Sequence, residues 1–308
     1  MAAEESTITV VLAFAANAAI ALAKSAAAAI TGSASMVAEA AHSWADTGNE
    51  VLLLIADRRS RIEPSSEHPL GFGREAYIWS MFAALGLFAV GAGVSITHGV
   101  QELLDPEPAS DFGVAYAVLA ISAVLEAISF RQASGQLRKE ASAIDRTLLE
   151  HTFHTSDPTT RAVFAEDFGA LVGLAIAFVG VLLHQLTGSP IPDALGSIAV
   201  GILLGVIAII LVDRNRRFLI GEDAPALRAG MLELLLNQPE VERVTFLRLE
   251  YLGPRRVYLT ANVDLVGDAA ESSVAEALRA VKLRVQENQH VVLAVLGLST
   301  QEDVTITE

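Results

Sequence analysis

The stretch AEAAHSWADTGNEVLLL, residues 38–54, decides the fold because it has the apolar character of a membrane-spanning helix and yet carries, besides Glu39, three ionisable side chains at four-residue spacing. These are His42, Asp46 and Glu50, at positions i, i+4 and i+8, so that a helix presents all three on one face. An acidic or basic side chain at the centre of a bilayer costs about 2.5–3.5 kcal/mol on the insertion scale. A neutral imidazole and a carboxylate one turn apart are natural ligands for a divalent first-row metal. The stretch therefore predicts a polar cavity or a bound cation inside a membrane domain.

The composition of the whole chain excludes several classes of protein. Of the 308 residues 52% are hydrophobic, and the mean hydropathy of +0.46 is typical of a membrane protein with several spans. The net charge of −15 excludes a nucleic-acid binder that relies on a basic surface. The chain has no cysteine, which excludes disulfides, thiolate metal sites and a cysteine nucleophile. The first six residues, MAAEES, lack a basic region, so we expect a first span there and not a cleaved signal.

Six apolar segments each approach the ~20 residues that cross a bilayer. They cover residues 8–30, 34–56, 76–104, 112–130, 162–186 and 193–212. Charged residues become frequent after residue 213, which divides the chain into a transmembrane transport domain, 1–214, and a soluble domain, 215–308. Basic residues occur in every second connection: after span two at 58–74, after span four at 131–161 and after span six at 214–217. By the positive-inside bias we expect six spans with both termini cytoplasmic.

The soluble domain alternates helical and strand patterns. The pattern predicts a helix at 223–238, strands at 241–252 and 257–265, a helix at 272–288 and a strand at 291–299. Gly253-Pro254 breaks the first strand from the second, so these two strands are expected to form a hairpin. The order α-β-β-α-β suits a small two-layer α+β domain. Its single histidine, His290, is poor support for a regulatory metal site.

Span five supplies the second half of the proposed metal site. It reads AVFAEDFGALVG over residues 162–173, with Glu166 and Asp167 in otherwise apolar sequence. Neighbouring helix positions point ~100° apart, so the two acids do not face one ligand equally. We take Asp167 as the direct ligand, while Glu166 completes the ligand shell or supports it. The alternative is that one of the acids only caps the span. With His42 and Asp46 these acids could form a four-coordinate site.

Other polar side chains in the spans are candidates for supporting roles. Asn49 and Glu50 are expected to hold the ligands from outside, and Glu39, one turn before His42, could orient the imidazole. Glu126 in span four could relay protons, form a salt bridge with Lys24 or face an aqueous cavity. Two further histidines near the outer ends of their spans are expected at the membrane interface. They are His98 and His184.

The ordered motifs of the chain resemble those of the cation diffusion facilitator family. They are HSWAD at 42–46, HPLGFGREAYIW at 68–79, AEDFGALVG at 165–173, DALGSIAVG at 193–201 and NRRFLIGEDA at 215–224. The sequences of these motifs are similar to those of a subgroup that includes mitochondrial zinc transporters and their bacterial relatives. The resemblance implies a non-enzymatic exporter of divalent metal, usually zinc, in exchange for protons. It places the family's metal pair on His42 and Asp46, and implies a homodimer formed through a ferredoxin-like cytoplasmic domain.

One position departs from the family pattern. Many zinc-transporting members carry His-x-x-x-Asp in span five, and alignment on Asp167 places Val163 where the histidine would be. The candidates to replace the missing imidazole are Glu166, Asn49 and a water, and oxygen donors weaken the preference for zinc over manganese or ferrous iron. From the family resemblance we still expect zinc as the transported metal. The departure at position 163 leaves Mn²⁺, Fe²⁺ and Co²⁺ as alternatives, and no permanently bound cofactor is expected.

The expected mechanism follows from protonation. Ligands must lose their protons to bind metal, so metal and protons compete, and an imidazole with an ordinary pKa of about 6.5 suits this exchange. Rocking of helices around a midplane site would open it to each side in turn. A membrane metalloenzyme is disfavoured because the sequence has no HExxH motif. A non-transporting metal sensor is disfavoured by the histidine-poor tail. We expect an integral protein of a bacterial plasma membrane.

Overall fold

The computed structural model describes residues 2–106, 111–142, 146–267 and 269–306. The chain divides into two compact units, which are described separately. The first comprises Met1–Asp57 and Ile78–Asn215, and the second comprises Arg58–Tyr77 and Arg216–Glu308. The second boundary lies one residue from the division expected at 214. The segment Arg58–Tyr77 differs from that expectation, because it groups with the tail instead of with the helices that it connects.

Helices account for almost all of the first unit. They are α1 (Ala2–Thr31), α2 (Ala34–Ser60), α3 (Glu75–Gly86), a π-helical turn (Leu87–Ala92), α4 (Gly93–Leu104), α5 (Phe112–Ser142), α6 (Leu148–His154), α7 (Pro158–Thr187) and α8 (Ile191–Ile220). Local sequence sets the ends of α7. Asp157 Oδ1 accepts the backbone N–H groups of Thr159 and Thr160, and Gly188 ends the helix in the left-handed conformation, with φ of 67°.

Four helical segments in the described ranges are long and apolar enough to cross a membrane. They are Glu75–Leu104, Phe112–Ser142, Pro158–Thr187 and Ile191–Ile220. The expectation of six spans is therefore wrong. The apolar part of α1 that was found is the shorter Asn17–Thr31. Helix α2 combines its apolar residues with a polar stripe formed by His42, Asp46 and Glu50. Its last turn carries Arg58 and Arg59. The prediction that both termini are cytoplasmic depended on six alternating spans, so it is wrong in that form.

Helix α2 packs antiparallel against α7 through small residues. A Cβ at Gly180 would lie 2.9 Å from Ser35 Oγ, and a Cβ at Gly173 would lie 2.8 Å from Glu39 Oε1. Further along α2, Asn49 reaches the side chain of Glu166. The residue numbers of the partners on α7 thus decrease from 180 to 166 while those on α2 increase from 35 to 49, which is the pattern of antiparallel helices. Glycine at these positions leaves room on α7 for the side chains of α2.

The second unit contains a three-stranded sheet and two helices. Its elements are α9 (Pro225–Leu236), β1 (Val241–Gly253), β2 (Arg256–Leu265), α10 (Glu271–Gln286) and β3 (Val291–Leu298). Strands β1 and β2 form an antiparallel hairpin, and β3 pairs with β2 in parallel, which gives the order β1-β2-β3. The parallel pair requires a crossover connection, which α10 supplies. The predicted hairpin and the order α-β-β-α-β are confirmed.

Alternation along the strands creates the core of the second unit. On β2, four alternate residues are completely buried, whereas their neighbours are only partly buried; the four are Val257, Leu259, Ala261 and Val263. The same core contains buried residues from both helices, including Leu235 of α9 and Val285 of α10. This burial explains why the tail folds as a unit of its own.

The segment Arg58–Tyr77 packs on the end of the β1–β2 hairpin. A Cβ at Gly253 would lie 2.8 Å from the Cα of Gly73, so both positions are restricted to glycine by the contact between their backbones. Arg74 Nη2 donates to Glu250 Oε1 at 2.5 Å. The ring of Tyr77 stacks on that of Phe218, with centroids 5.0 Å apart. These contacts give the physical reason for the difference in domain division.

Candidate metal centre

The α2 half of the candidate centre consists of His42 and Asp46. His42 is completely buried, and its Nδ1 lies 3.4 Å from Asp46 Oδ1. Neither ring nitrogen of His42 nor Oδ1 of Asp46 has a hydrogen-bond partner in the described part of the chain, and all three atoms are buried. A buried polar group without a partner costs about 1–3 kcal/mol. The two ring nitrogens point away from each other, so a cation can bind one of them together with Asp46 Oδ1, and the pair supplies two donor atoms.

The α7 half of the centre contains two acids that face different neighbours. Glu166 is buried, and its Oε1 accepts a hydrogen bond from Asn49 Nδ2 of α2 at 3.0 Å. Asp167 is partly buried, and its Oδ2 accepts a hydrogen bond from Ser129 Oγ of α5 at 2.8 Å. This divergence follows from the ~100° between neighbouring helix positions. Glu166 is thus the acid that contacts α2 directly, whereas the sequence favoured Asp167.

The four predicted ligands do not form a common coordination sphere. Among the residues that the structure describes, no group of three or more His, Cys, Asp or Glu side chains is arranged to hold a metal ion. Asp46 nevertheless lies within electrostatic range of both Glu166 and Asp167. The hydrogen bond from Asn49 to Glu166 links the two helices one turn beyond Asp46. The ligand set of His42, Asp46, Glu166 and Asp167 stays a prediction.

Glu39 does not orient His42, contrary to the expectation from sequence. Its Oε2 instead accepts a hydrogen bond from Lys24 Nζ of α1 at 2.9 Å, and both side chains are completely buried. The predicted alternative of a salt bridge between Lys24 and Glu126 is likewise not formed. Glu126 is partly buried and is near enough to Lys24 for an electrostatic interaction only. A buried ammonium needs a close counter-charge, and Glu39 already supplies it.

Glu50 turns away from the other two residues of the polar stripe. Its Oε2 accepts a hydrogen bond from Asn17 Nδ2 of α1 at 3.1 Å. Each step of four residues rotates a position by about 40° around the helix, so two steps carry Glu50 about 80° from His42. The structure therefore places Glu50 toward α1 and Asn49 toward α7. A supporting role beside the ligands fits Asn49 better than it fits Glu50.

Position 163 lies in an apolar cluster beside α2. Val163 packs against the group formed by Leu53, Ala83 and Ala162, with Leu52 also in contact with it. Leu53 is two turns beyond Asp46 on α2. A histidine here would therefore be directed toward α2, but in this chain the position contributes no donor atom.

Comparison with known proteins identifies the family. The profile of the cation efflux transmembrane domain matches residues 10–220, which is more than half of the chain. The chain belongs to the cation efflux family. Members of this family are transporters, so the expectation that the chain is not an enzyme is confirmed. The resemblance to cation diffusion facilitators is confirmed with it.

Several cation efflux relatives carry names that specify a cargo or a location. The mouse proton-coupled zinc antiporter SLC30A9, mitochondrial, is 37% identical over 247 residues, which are 80% of this chain and 44% of the relative. Metal tolerance protein C4 of Arabidopsis thaliana is 36% identical over 75% of this chain and 51% of its own length. Zinc transporter ZitB of Pectobacterium atrosepticum is 22% identical over 86% of this chain and 77% of its own length. The chain spans about half the length of the first two relatives.

These cation efflux relatives correct the expected location. The relatives at 36–37% identity are a mitochondrial antiporter and a plant protein, so a bacterial plasma membrane is not supported. The physical reason for the error is that the positive-inside bias concerns the sidedness of a span and carries no information about which membrane contains it.

Proposed function

We propose that this chain transports a divalent metal across a membrane, and that it exchanges zinc for protons at a site between α2 and α7. The observation that carries the proposal is that the buried imidazole of His42 and the buried Oδ1 of Asp46 lie side by side without a hydrogen-bond partner in the described part of the chain. The name of the mouse relative, a proton-coupled zinc antiporter, supports the choice of zinc and of protons. The transported metal is the substrate of this protein, with no permanently bound cofactor.

The proposed ligands are His42 and Asp46 from α2 with Glu166 and Asp167 from α7. A carboxylate has about four acceptor positions, so the bond from Asn49 leaves Glu166 able to bind metal. Imidazole and carboxylate donors suit zinc in four-fold coordination. Glu166 is already beside α2, and Asp167 reaches the site by exchange of its bond from Ser129.

Proton coupling would follow from competition for the same donor atoms. Metal binding releases protons from its ligands, and protons displace the metal. Exposure of the site to each side of the membrane in turn would convert this competition into exchange.

A manganese, iron or cobalt exporter is the second candidate. The observation in its favour is that Val163 packs in an apolar cluster and provides no second imidazole. A site with one nitrogen donor and several carboxylates is harder than a site with two histidines, and harder donors favour manganese relative to zinc.

The two parts of the chain take different roles in this proposal. Residues 1–214 carry the metal, and residues 215–308 pair with the same region of a second copy to form a homodimer. The α-β-β-α-β order and the three-stranded sheet support a ferredoxin-like description of the tail. The family membership supports the dimer.

Transport in proteoliposomes tests the proposal. Purified protein should move Zn²⁺ when a pH gradient is applied, and Zn²⁺ and Mn²⁺ should be compared in the same vesicles. His42→Ala should abolish transport. Thr47→Val is a matched control on the same helix, because the buried Thr47 hydroxyl only bonds back to the Ser43 carbonyl. Transport by His42→Ala at the wild-type rate, or no metal movement by the wild type, would overturn the proposal.

A further inference from the structure

A second buried polar group lies at the far end of the α2–α7 interface. It consists of Ser35 of α2, His184 of α7 and Asp193 of α8. His184 is only 5% exposed and Asp193 only 1%. His184 Nδ1 lies 4.0 Å from Asp193 Oδ2 and has no hydrogen-bond partner among the residues described. The sequence suggested that His184 is an interfacial side chain, but the first turn of α8 covers it.

Three helices hold this group in place. Asp193 Oδ1 accepts the backbone N–H of Ser35 at 3.3 Å, and Ser35 Oγ donates to the backbone carbonyl of Asp193 at 2.9 Å. Two glycines make room for the serine: a Cβ at Gly180 would lie 2.9 Å from Ser35 Oγ, and a Cβ at Gly196 would lie 2.7 Å from it. The carboxylate is therefore fixed by one oxygen, and its other oxygen points toward the imidazole.

The group shares one face of α7 with the candidate metal centre. His184 and Glu166 are 18 positions apart, which is five complete turns and about 27 Å along the helix. Both are buried, and the residues between them on this face are small: Gly169, Gly173, Ala177 and Gly180. The two polar groups thus lie at opposite ends of the same close contact between α2 and α7.

The separation of 4.0 Å has a chemical meaning. It exceeds the ~2.7–3.2 Å of a hydrogen bond, so the pair is not a simple histidine–carboxylate bond. A divalent first-row metal binds imidazole nitrogen at about 2.0–2.1 Å and carboxylate oxygen at about 2.0–2.2 Å, which at a tetrahedral angle places the two ligand atoms about 3.4 Å apart, so the side chains must close by about 0.6 Å to share a metal. The ring of Phe112 contacts the imidazole edge-on, with centroids 5.4 Å apart, and shields one side from water.

We propose that His184 Nδ1 and Asp193 Oδ2 form a second station for a divalent metal cation, at the end of the bundle away from Glu166. The station has two protein ligands, compared with four at the proposed main site, and therefore binds more weakly. A weak terminal station lets an ion enter or leave without being trapped. The identity of its cation rests on the proposed function, whereas its existence depends on the geometry of three helices.

Binding of Co²⁺ to the full chain in detergent tests the station. Co²⁺ is used because its visible absorption reports nitrogen and oxygen ligands, independently of transport. The wild type should show a tight and a weak class of site. His42→Ala should lose only the tight class. His184→Ala should weaken the weak class more than about 10-fold, since loss of a ligand exceeds the 10–100-fold effect of losing only a ligand's partner.

Two further variants control for folding and for adventitious binding. Asp193→Asn retains an oxygen that can accept the Ser35 N–H. This variant should therefore lose the weak class of site but unfold at the same temperature as the wild type. His98→Ala removes another histidine with a buried, unpartnered Nδ1 and should change neither class. Absence of the weak class from the wild type, survival of the weak class in both His184→Ala and Asp193→Asn, or equal loss in His98→Ala would overturn the station. Failure of the main site would instead show as loss of the tight class from the wild type.

Discussion

The buried ion pair between Lys24 and Glu39 makes a quantitative prediction about the α1–α2 contact. Both side chains are completely buried, and only one oxygen of Glu39 is bonded, because Oε1 has no partner in the described part of the chain. Lys24→Met keeps the volume of the side chain but leaves a buried carboxylate without its counter-charge. Breaking one side of a buried pair costs about 3–5 kcal/mol. We expect a destabilisation of this size.

Replacement of both partners gives the opposite expectation. The Coulombic gain of this pair only partly repays its desolvation, since one carboxylate oxygen is unsatisfied. Lys24→Met combined with Glu39→Met should therefore recover most of the loss and restore stability to within about 1–2 kcal/mol of the wild type. Arg59→Ala is a matched control, because Arg59 pairs with Glu75 at 3.2 Å but is 53% exposed. That change should cost less than about 1 kcal/mol.

Reversible unfolding of the detergent-solubilised protein measures these effects. The wild type, Lys24→Met, Glu39→Met and the double variant should be compared under identical conditions. The coupling energy is the difference between the destabilisation of the double variant and the sum for the two single variants. A loss below about 1 kcal/mol in Lys24→Met would refute the reasoning. So would a double variant that is as unstable as the single one, since this would show that packing and not charge determines the cost.

Three further predictions concern the site and the second unit. Val163→His should raise the ratio of zinc to manganese affinity by about tenfold, or ~1.4 kcal/mol, in calorimetry, and an unchanged ratio would mean that position 163 does not face the metal. Ser129→Ala should tighten metal binding by about 2- to 10-fold, since it removes a bond of ~0.5–1.5 kcal/mol that Asp167 must give up; unchanged affinity would argue against Asp167 as a ligand. Gly73→Ala should destabilise the second unit by about 1–3 kcal/mol in thermal unfolding, because its Cβ would overlap a backbone carbonyl of β1. Gly230→Ala, with open space around its Cβ, is the control and should not destabilise; an equal loss in both would disprove the contact argument.

The fold of the tail was predictable because each element has a local signal. The hairpin turn contains Gly253-Pro254, and Arg255 adopts a positive φ of 57° there. The helices and strands of the tail begin and end within three residues of their predicted limits. The number of spans was not predictable in the same way. The ionisable residues that suggested a site in α2 also reduce its apolar character, so one feature supported two conflicting inferences.

The site was predictable only as far as a single helix determines it. The pairing of His42 with Asp46 follows from their spacing on α2. The partners of Glu166 and Asp167 depend on which helices surround α7, and this is a property of tertiary packing. The sequence does contain one signal for the station, because His184 lies five helical turns from Glu166. Burial of His184 still could not be foreseen, because it depends on how α8 crosses α7.

The neutral partners of the two α7 acids explain how a metal site can exist without a preformed group of four ligands. Asn49 donates to Glu166, and Ser129 donates to Asp167, so each acid is satisfied by an uncharged neighbour on a different helix. Metal binding would exchange the bond between Ser129 and Asp167 for a stronger bond to a cation, and the net affinity is reduced by the bond that is lost. Asn49 belongs to the same helix as His42 and Asp46, so its bond keeps Glu166 beside the α2 ligands when α7 moves. The bond between Ser129 and Asp167 joins α7 to α5, a helix without proposed ligands, and that bond is the one that the binding of metal must break.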